Sequence, residues 1–416
     1  MGITAVVIGA GARGRVYADY AKSHPSEIRI VGVAEPDAAR RARFERDYGL
    51  KESECFPDWR QALEGPRMAD AAIICTMDAL HYAPCMAAIR QGYHILLEKP
   101  MSPNARECVE MQRAAEARGV TLAVCHVLRY TPFYSKLKEL IDAGEIGEVQ
   151  VLEQTEHVCY WHQAHSFVRG NWRSAEETCP MILAKCCHDL DILGWLAGSP
   201  CRALDSFGRL SHFNAAHAPE GAPERCLDGC PHSGSCPYYA PKLYLTEDVG
   251  WPTDTISVDS SLAARTEALR RGPYGRCVYR CDNDVVDHQV VSMEFENGTA
   301  ATLTMSAFSP RMTRTLRIMG TKGMLEGDMD RSLVTLQPFG GEVQTFSTAA
   351  QAGNAYGHGG GDTGLMRDFV LQVQGGGERR TSARQSLQSH LMAFAAEAAR
   401  LECRRIELEP FSASLV

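Results

Sequence analysis

Val7-Ile8-Gly9-Ala10-Gly11-Ala12-Arg13-Gly14 is a G-x-G-x-x-G turn, and the residues on either side of it decide the fold. Upstream, Ile3 to Ile8 is a short apolar, β-branched run that reads as a strand. Downstream, Arg13 to Lys22 continues as a helix, and a second strand, Ile28 to Ala34, ends on Glu35. Strand, glycine turn, helix, strand and acid make a complete mononucleotide-binding unit. Gly9 allows the tight turn, Gly11 lets the backbone approach a pyrophosphate, and Gly14 lets helix and strand pack closely. The free N–H groups at the helix N-terminus attract a diphosphate. Glu35, about twenty residues past the turn, is placed to accept hydrogen bonds from an adenosine ribose. A 2′-phosphate there meets like charge, which favours NAD over NADP, although Arg40 and Arg41 soften the preference. Ala12, Arg13, Thr76, His81, Glu98 and Lys99 complete the expected cofactor contacts.

The chain has 416 residues, 45% of them hydrophobic, enough for two domains. A net charge of −8 without a basic run argues against nucleic acid as a partner. No apolar stretch reaches membrane-spanning length. Gly2 to Ile8 belongs to the first strand, leaving no room for a leader, so a cytoplasmic location is expected. Sixteen cysteines in that compartment read as thiols or metal ligands rather than disulfides.

After Glu35, helix and strand continue to alternate. Ala38 to Tyr48, Asp58 to Glu64, Pro84 to Gln91 and Pro103 to Arg118 are helical. Ala71 to Thr76, His94 to Leu97 and Thr121 to Cys125 are strands. This alternation builds a parallel sheet covered on both faces. From about residue 148 the texture changes. Glu148 to Val158, Cys201 to Phe213, His288 to Phe295, Thr299 to Phe308, Thr315 to Gly320 and Leu333 to Phe339 are strand-like, and Asn297-Gly298 is a hairpin turn. Met181 to Leu196 reads as one helix among them. The fold expected is α/β: a Rossmann domain over residues 1–125, then an α+β domain over 126–416 with a large open, mainly antiparallel sheet. A Cys-rich insertion occupies about 214–285, and two late helices, Asp362 to Val373 and Ser386 to Glu402, pack back toward the first domain.

Glu98-Lys99-Pro100 directly follows a strand, at the carboxyl edge of the parallel sheet where ligands bind. A lysine there can polarise a hydroxyl or carbonyl. The second candidate is Met181-Ile182-Leu183-Ala184-Lys185-Cys186-Cys187-His188-Asp189-Leu190-Asp191. Lys185 and His188 stand three apart, on one helical face. Histidine is the usual proton acceptor at neutral pH, and a neighbouring lysine keeps it a free base. Asp189 and Asp191 are expected to cap or to hydrogen-bond locally.

Together these motifs resemble the glucose–fructose oxidoreductase, inositol dehydrogenase and rhizopine-catabolism (Gfo/Idh/MocA) family. The resemblance runs from Gly9–Gly14 and Glu35 through Glu98-Lys99-Pro100, Arg129 with Pro132, Trp172-Arg173 and His188-Asp189-Leu190-Asp191 to the Ala395-Ala396-Glu397 helix. It implies that Lys99 and His188 are the catalytic pair and that the substrate carbinol belongs to a sugar, a cyclitol or a sugar derivative. One position departs from the pattern. Many members carry Asp four residues before the histidine; here that residue is Ala184, and Lys185 is expected to take part of its role. The implied chemistry is hydride transfer, with His188 taking the hydroxyl proton and Lys99 stabilising charge on oxygen. Arg129, Tyr160, Arg173, His288 and His358 are the expected substrate contacts. A homodimer or homotetramer is expected by resemblance alone. Two other readings stand beside this one: an NAD-assisted glycosidase or lyase, and a non-catalytic sensor of NAD and sugar.

Cys226-x3-Cys230-x5-Cys236 lies in the Pro- and Gly-rich insertion, with Cys277-x3-Cys281 further on. Three thiols in so short an apolar-poor loop suit a structural metal. Zinc takes four such ligands, so Cys277, Cys281 or His232 would complete the set, and iron–sulfur ligation uses the same residues.

Overall fold

Ile3–Ile8 (β1), Ile28–Ala34 (β2), Cys55–Phe56 (β3), Ala71–Ile74 (β4), His94–Leu97 (β5) and Leu122–Val124 (β6) form one parallel sheet in the order β3-β2-β1-β4-β5-β6. In the computed structural model, which describes residues 2–349 and 358–415, all four residues of β4 are buried. That is why these strands read as continuous apolar runs, since helices cover both faces. The glycine turn ends β1. Gly9 has φ +94°, and a Cβ on it would strike the Cys75 backbone. A Cβ on Gly14 would strike the Gly9 carbonyl, whereas Gly11 faces open space. Gly9 and Gly14 serve the protein's own packing, and Gly11 leaves room for a ligand.

The second sheet has nine strands. In chain order they are Val149–His157 (β7), Cys201–Arg209 (β8), His288–Phe295 (β9), Ala300–Ser306 (β10), Thr313–Gly320 (β11), Gly323–Asp328 (β12), Leu333–Pro338 (β13), Gln344–Ser347 (β14) and Ile406–Glu407 (β15). Their order is β14-β13-β12-β11-β7-β10-β9-β8-β15, antiparallel except for β7 beside β10. Gly298, at φ +87°, turns β9 into β10. Along β10, alternate residues are buried, so one face packs on the helices and the other is left open.

Two late helices tie the halves together. Gly361–Val373 buries Leu365, Met366, Phe369 and Val370 in the same core as Ile3, Val7 and Tyr17 of the first domain. Ala383–Glu402 begins with a Ser382–Gln385 capping box and packs on the helices Ala105–Arg118 and Cys187–Ala197 and on β8.

The segment expected as one helix from Met181 to Leu196 is two. Met181–Ala184 ends at Lys185, and Cys187–Ala197 begins after Cys186, whose ψ of 3° leaves the helical path. The break lies between the two residues expected to share a face.

Candidate active site

Glu98 anchors the floor of the site. Its carboxylate accepts from Arg13 Nε at 2.7 Å, from the Tyr17 hydroxyl at 2.8 Å and from the backbone N–H of Lys99 at 2.6 Å. Arg13 also pairs with Asp362 from the late helix. Burial pushes the Glu98 carboxyl up, but Arg13 and Lys99 outweigh it and hold it below the usual carboxylate range. An ionised Glu98 thereby links the glycine turn, β5 and the helix Gly361–Val373.

Lys99 leaves this floor and crosses to the second domain. Its Nζ donates to the carbonyl oxygen of Ala184 at 2.7 Å. Ala184 is the last residue of the first short helix, where the helical ladder breaks, and His188 follows one turn later. The ring of His188 lies edge-on to that of His126, with centroids 5.5 Å apart. His126 meets His390 in the same way, also at 5.5 Å. Burial, then the charges of Arg129 and Lys99, drive His126 well below the ordinary histidine range. His390 accepts from the backbone N–H of Met101 at 2.9 Å through Nε2, and its Nδ1 lies 2.7 Å from the Ser386 carbonyl. It therefore carries its proton on Nδ1 and fastens the chain just past Lys99. His81 does the same from the other side, with Nδ1 2.8 Å from the Pro100 carbonyl and Nε2 3.1 Å from the Thr76 carbonyl.

Behind His188 stands a buried charge network. Lys185 Nζ lies 3.3 Å from Glu156, and Arg314 lies 2.8 Å from both Glu156 and Asp189. Asp189 also accepts from Gln154 at 2.6 Å. Neither Glu156 oxygen accepts an aligned hydrogen bond, so its contacts are Coulombic. Arg129 forks onto Asp191 at 2.7 and 2.8 Å. The helix carrying His188 is thus pinned by two arginines from different elements, β11 and the turn before Pro132.

His162 faces the same space. Burial, followed by Lys185, His165, Arg314 and Lys99, drives its pKa far down, and its Nδ1 has no hydrogen-bond partner among the described residues. A buried neutral imidazole amid three cations can accept a hydrogen bond from a substrate hydroxyl. It begins the π-helical turn Gln163–Arg169, every residue of which is buried. Trp251, partly exposed, stands edge-on above it at 5.0 Å between centroids. Asp254, close by in the insertion, lies 3.7 Å from Arg15 of the first helix, so the insertion reaches over the cofactor edge.

Several expectations change against this geometry. Arg129, expected on the substrate, has its guanidinium buried on Asp191 and the Arg380 carbonyl. Arg173 is held by Asp282 and Glu177 at the surface and joins the Trp172 loop to the insertion. His81 and Glu98 shape the cofactor cleft with side chains already engaged by the protein, and Thr76 donates to the Leu80 carbonyl. Tyr160 packs on Tyr238, and His288, hydrogen-bonded to Asp287, packs near Phe308. The side chain of His358 lies outside the described residues. Asp189 and Asp191 make distant ion pairs rather than local caps. Sequence reasoning does not single out His162, His126 or His390.

With this geometry in view, comparison with known proteins is decisive. Residues 3–126 match the model of an oxidoreductase family, NAD-binding Rossmann fold, and residues 138–408 match that family's C-terminal alpha/beta domain. The chain belongs to the Gfo/Idh/MocA oxidoreductase family. YteT of Bacillus subtilis (strain 168), described as an oxidoreductase, is 25% identical over 314 residues, covering 73% of this chain and 72% of its own. An inositol 2-dehydrogenase of Corynebacterium glutamicum is 28% identical over 196 residues, 46% of this chain and 53% of that one. This chain therefore spans about half of that dehydrogenase. A crystal structure of an oxidoreductase from Agrobacterium radiobacter in complex with NAD+, L-tartaric acid and magnesium superposes with a TM-score of 0.72 at 14% identity, covering 99% of each chain. That likeness establishes the shared fold. Among the described residues no helix is long and apolar enough to cross a membrane.

Proposed function

We propose that this chain is an NAD-dependent dehydrogenase that moves a hydride between nicotinamide and a secondary carbinol of a sugar or cyclitol. The observation that carries the reading is the Lys99–Ala184 hydrogen bond, which brings an ammonium of the first domain to the segment bearing His188 in the second. The relatives named inositol 2-dehydrogenase favour the substrate class.

The glycine turn fits the cofactor. Gly11 is open where a pyrophosphate would approach, and no side chain caps the helix behind it, so its first N–H groups are available. Glu35 is buried, with one oxygen 2.7 Å from the N–H of Ala10 and the other 3.0 Å from that of Asp37. Its carboxylate is fixed beside the turn, where it suits a ribose diol and repels a 2′-phosphate. Bound there, NAD supplies the hydride acceptor for an alcohol or the hydride donor for a ketone.

The protein's own groups handle the proton and the charge. His188 takes the proton from the substrate hydroxyl, and Lys99 offers an N–H to the oxygen as negative charge grows on it. Lys185, paired with Glu156, contributes positive potential behind His188 rather than an exchangeable proton. His162 accepts from a neighbouring hydroxyl and sets the ring's orientation. Buried Cys187, Ala184 and His126 form a dry wall, which strengthens each of these interactions.

The test is a panel of free sugars and cyclitols with NAD+ or NADP+, followed by reduced-nicotinamide absorbance. Turnover with NAD+ that falls by at least about a hundredfold in His188→Ala supports the reading. Cleavage of an aryl glycoside without net NADH, with solvent deuterium entering the sugar, would move the assignment to a redox-assisted elimination. Undiminished turnover in His188→Ala would end it.

A further inference from the structure

The insertion between β8 and β9 is poor in apolar residues, yet it closes around a cavity with room for about one water. Four cysteines line that cavity: Cys226, Cys230 and Cys236 from one segment, and Cys277 from another some forty residues on. Cys281, an equal candidate by spacing, turns aside, its sulfur 3.3 Å from the Cys277 carbonyl.

The fifth wall is Arg169, the last residue of the π-helical turn and only 1% exposed. Its Nε donates to the Arg276 carbonyl and its Nη2 to the Tyr238 carbonyl, each at 2.7 Å. The same Nη2 points at Cys226 Sγ from 3.7 Å, and the backbone N–H of Ala240 points at that sulfur from 3.5 Å. As a thiol, Cys226 finds only the Arg276 carbonyl, 4.0 Å away. Among the described residues no carboxylate lies within ion-pairing distance of Arg169. A guanidinium stays cationic in a protein, and a buried cation without a counter-charge is costly. Two N–H groups therefore converge on the Cys226 sulfur beside this unbalanced cation, a setting that suits an anionic centre.

We propose that Cys226, Cys230, Cys236 and Cys277 hold a thiolate-bound metal centre that locks the insertion onto the π-helical turn. On binding, the four S–H protons leave to solvent and four metal–sulfur bonds form. No electron is transferred. The resulting centre is anionic, and Arg169 supplies part of the balancing charge.

Two occupants share this chemistry. One is a single zinc ion, with zinc–sulfur bonds of about 2.3 Å; the other is a [4Fe–4S] cluster. Among the described residues no three His, Cys, Asp or Glu side chains have converged as one ion requires. Zinc therefore needs the four side chains to draw inward, whereas a cluster holds its sulfurs further apart and needs the cavity to widen beyond the one water it now admits. The functional consequence follows from position. The π-helical turn begins beside His162, and the insertion carries Trp251, so the centre fixes one wall of the proposed substrate site.

The full chain, purified anaerobically from cells supplied with iron and zinc, is assayed for metal and acid-labile sulfide. X-ray absorption at the metal edge then reads the ligands without any substitution. Stoichiometric zinc with four sulfur neighbours, or iron with matching sulfide and sulfur ligation, supports the proposal and names the occupant. Cys230→Ser together with Cys236→Ser is expected to lose at least nine-tenths of the metal, while Cys403→Ser, at an exposed cysteine outside the insertion, keeps it. A metal-free chain, nitrogen or oxygen neighbours dominating the edge spectrum, or full metal retention in the double variant overturns it. So does metal that a mild chelator removes with no change in melting temperature, which marks an adventitious ion only. None of these readouts requires that the dehydrogenase reading be right.

Discussion

Lys99 of the first domain and Ala184 of the second share one hydrogen bond, Nζ to carbonyl oxygen at 2.7 Å. The acceptor is available because the helix breaks at Lys185 and Cys186. The interaction places the ammonium one turn before His188 and joins the two domains there. Lys99→Met removes the charge while keeping the stem. It is expected to lower kcat by about 10²–10³ with a smaller change in KM, since the lost interaction is strongest when charge develops on oxygen. Steady-state kinetics with the best substrate of the panel check this. A change confined to KM would make Lys99 a binding residue only.

Arg314 is shared by two buried carboxylates, Asp189 and Glu156. Burial raises the Asp189 carboxyl even with that arginine beside it, so the guanidinium is what keeps the network charged. Arg314→Met leaves Asp189 with Gln154 alone and Glu156 with Lys185 alone, and is expected to cost about 3–5 kcal/mol. Arg317 sits on the same strand but on the solvent side, with Glu326 at 3.2 Å and more than half of its side chain exposed. Arg317→Met is expected to change stability by less than about 1 kcal/mol. Urea unfolding of the two variants checks the contrast, and equal losses would contradict it.

The parallel sheet and the glycine turn were legible in the sequence because every level agreed there: continuous apolar strands, a G-x-G-x-x-G turn and an acid at the right distance. The nine-stranded sheet was legible in outline, but β12, with Gly323, Gly327 and two acids in six residues, carries little apolar pattern. The helix break at Lys185–Cys186 had no Pro or Gly to announce it. Arg129 looked like a ligand because a lone arginine in sequence does not reveal the Asp191 buried opposite it. His126 and His390 stand far apart in the chain, and only folding sets them in a row with His188. Lys99 and His188 stand in local motifs, which is why the sequence singles them out as candidates. The wall at His162 is assembled from the insertion and the π-helical turn, and no local pattern encodes it.

Glu35 accepts backbone N–H groups from Ala10 and Asp37, so its carboxylate is preset before any cofactor arrives. Arg41 is held by the carbonyls of Glu35 and Pro36. Glu35→Ser removes the negative charge and leaves Arg41 beside the pocket. The ratio of kcat/KM for NAD to that for NADP is expected to fall at least tenfold, a difference of about 1.4 kcal/mol. Initial rates with both cofactors measure it. An unchanged ratio would show that Glu35 does not read the ribose.

His390 gives the fold an acid-sensitive fastening. Burial, and then the neighbouring His126, depress its pKa to about 3, against about 6.5 for a histidine in an unfolded chain. Between those two values the unfolded chain binds a proton that the folded chain refuses. The associated stability is therefore complete above about pH 6.5 and is lost as the pH falls toward 3. The loss attributable to this group amounts to about 2 kcal/mol between pH 7 and pH 5. His390→Gln keeps an oxygen that can accept from the Met101 N–H but cannot titrate there. Its unfolding free energy at pH 7 is expected to be lower than that of the parent, with a shallower fall toward pH 5. Urea titrations at closely spaced pH values give both slopes, and identical slopes would mean that His390 titrates in the folded protein as it does in the unfolded chain.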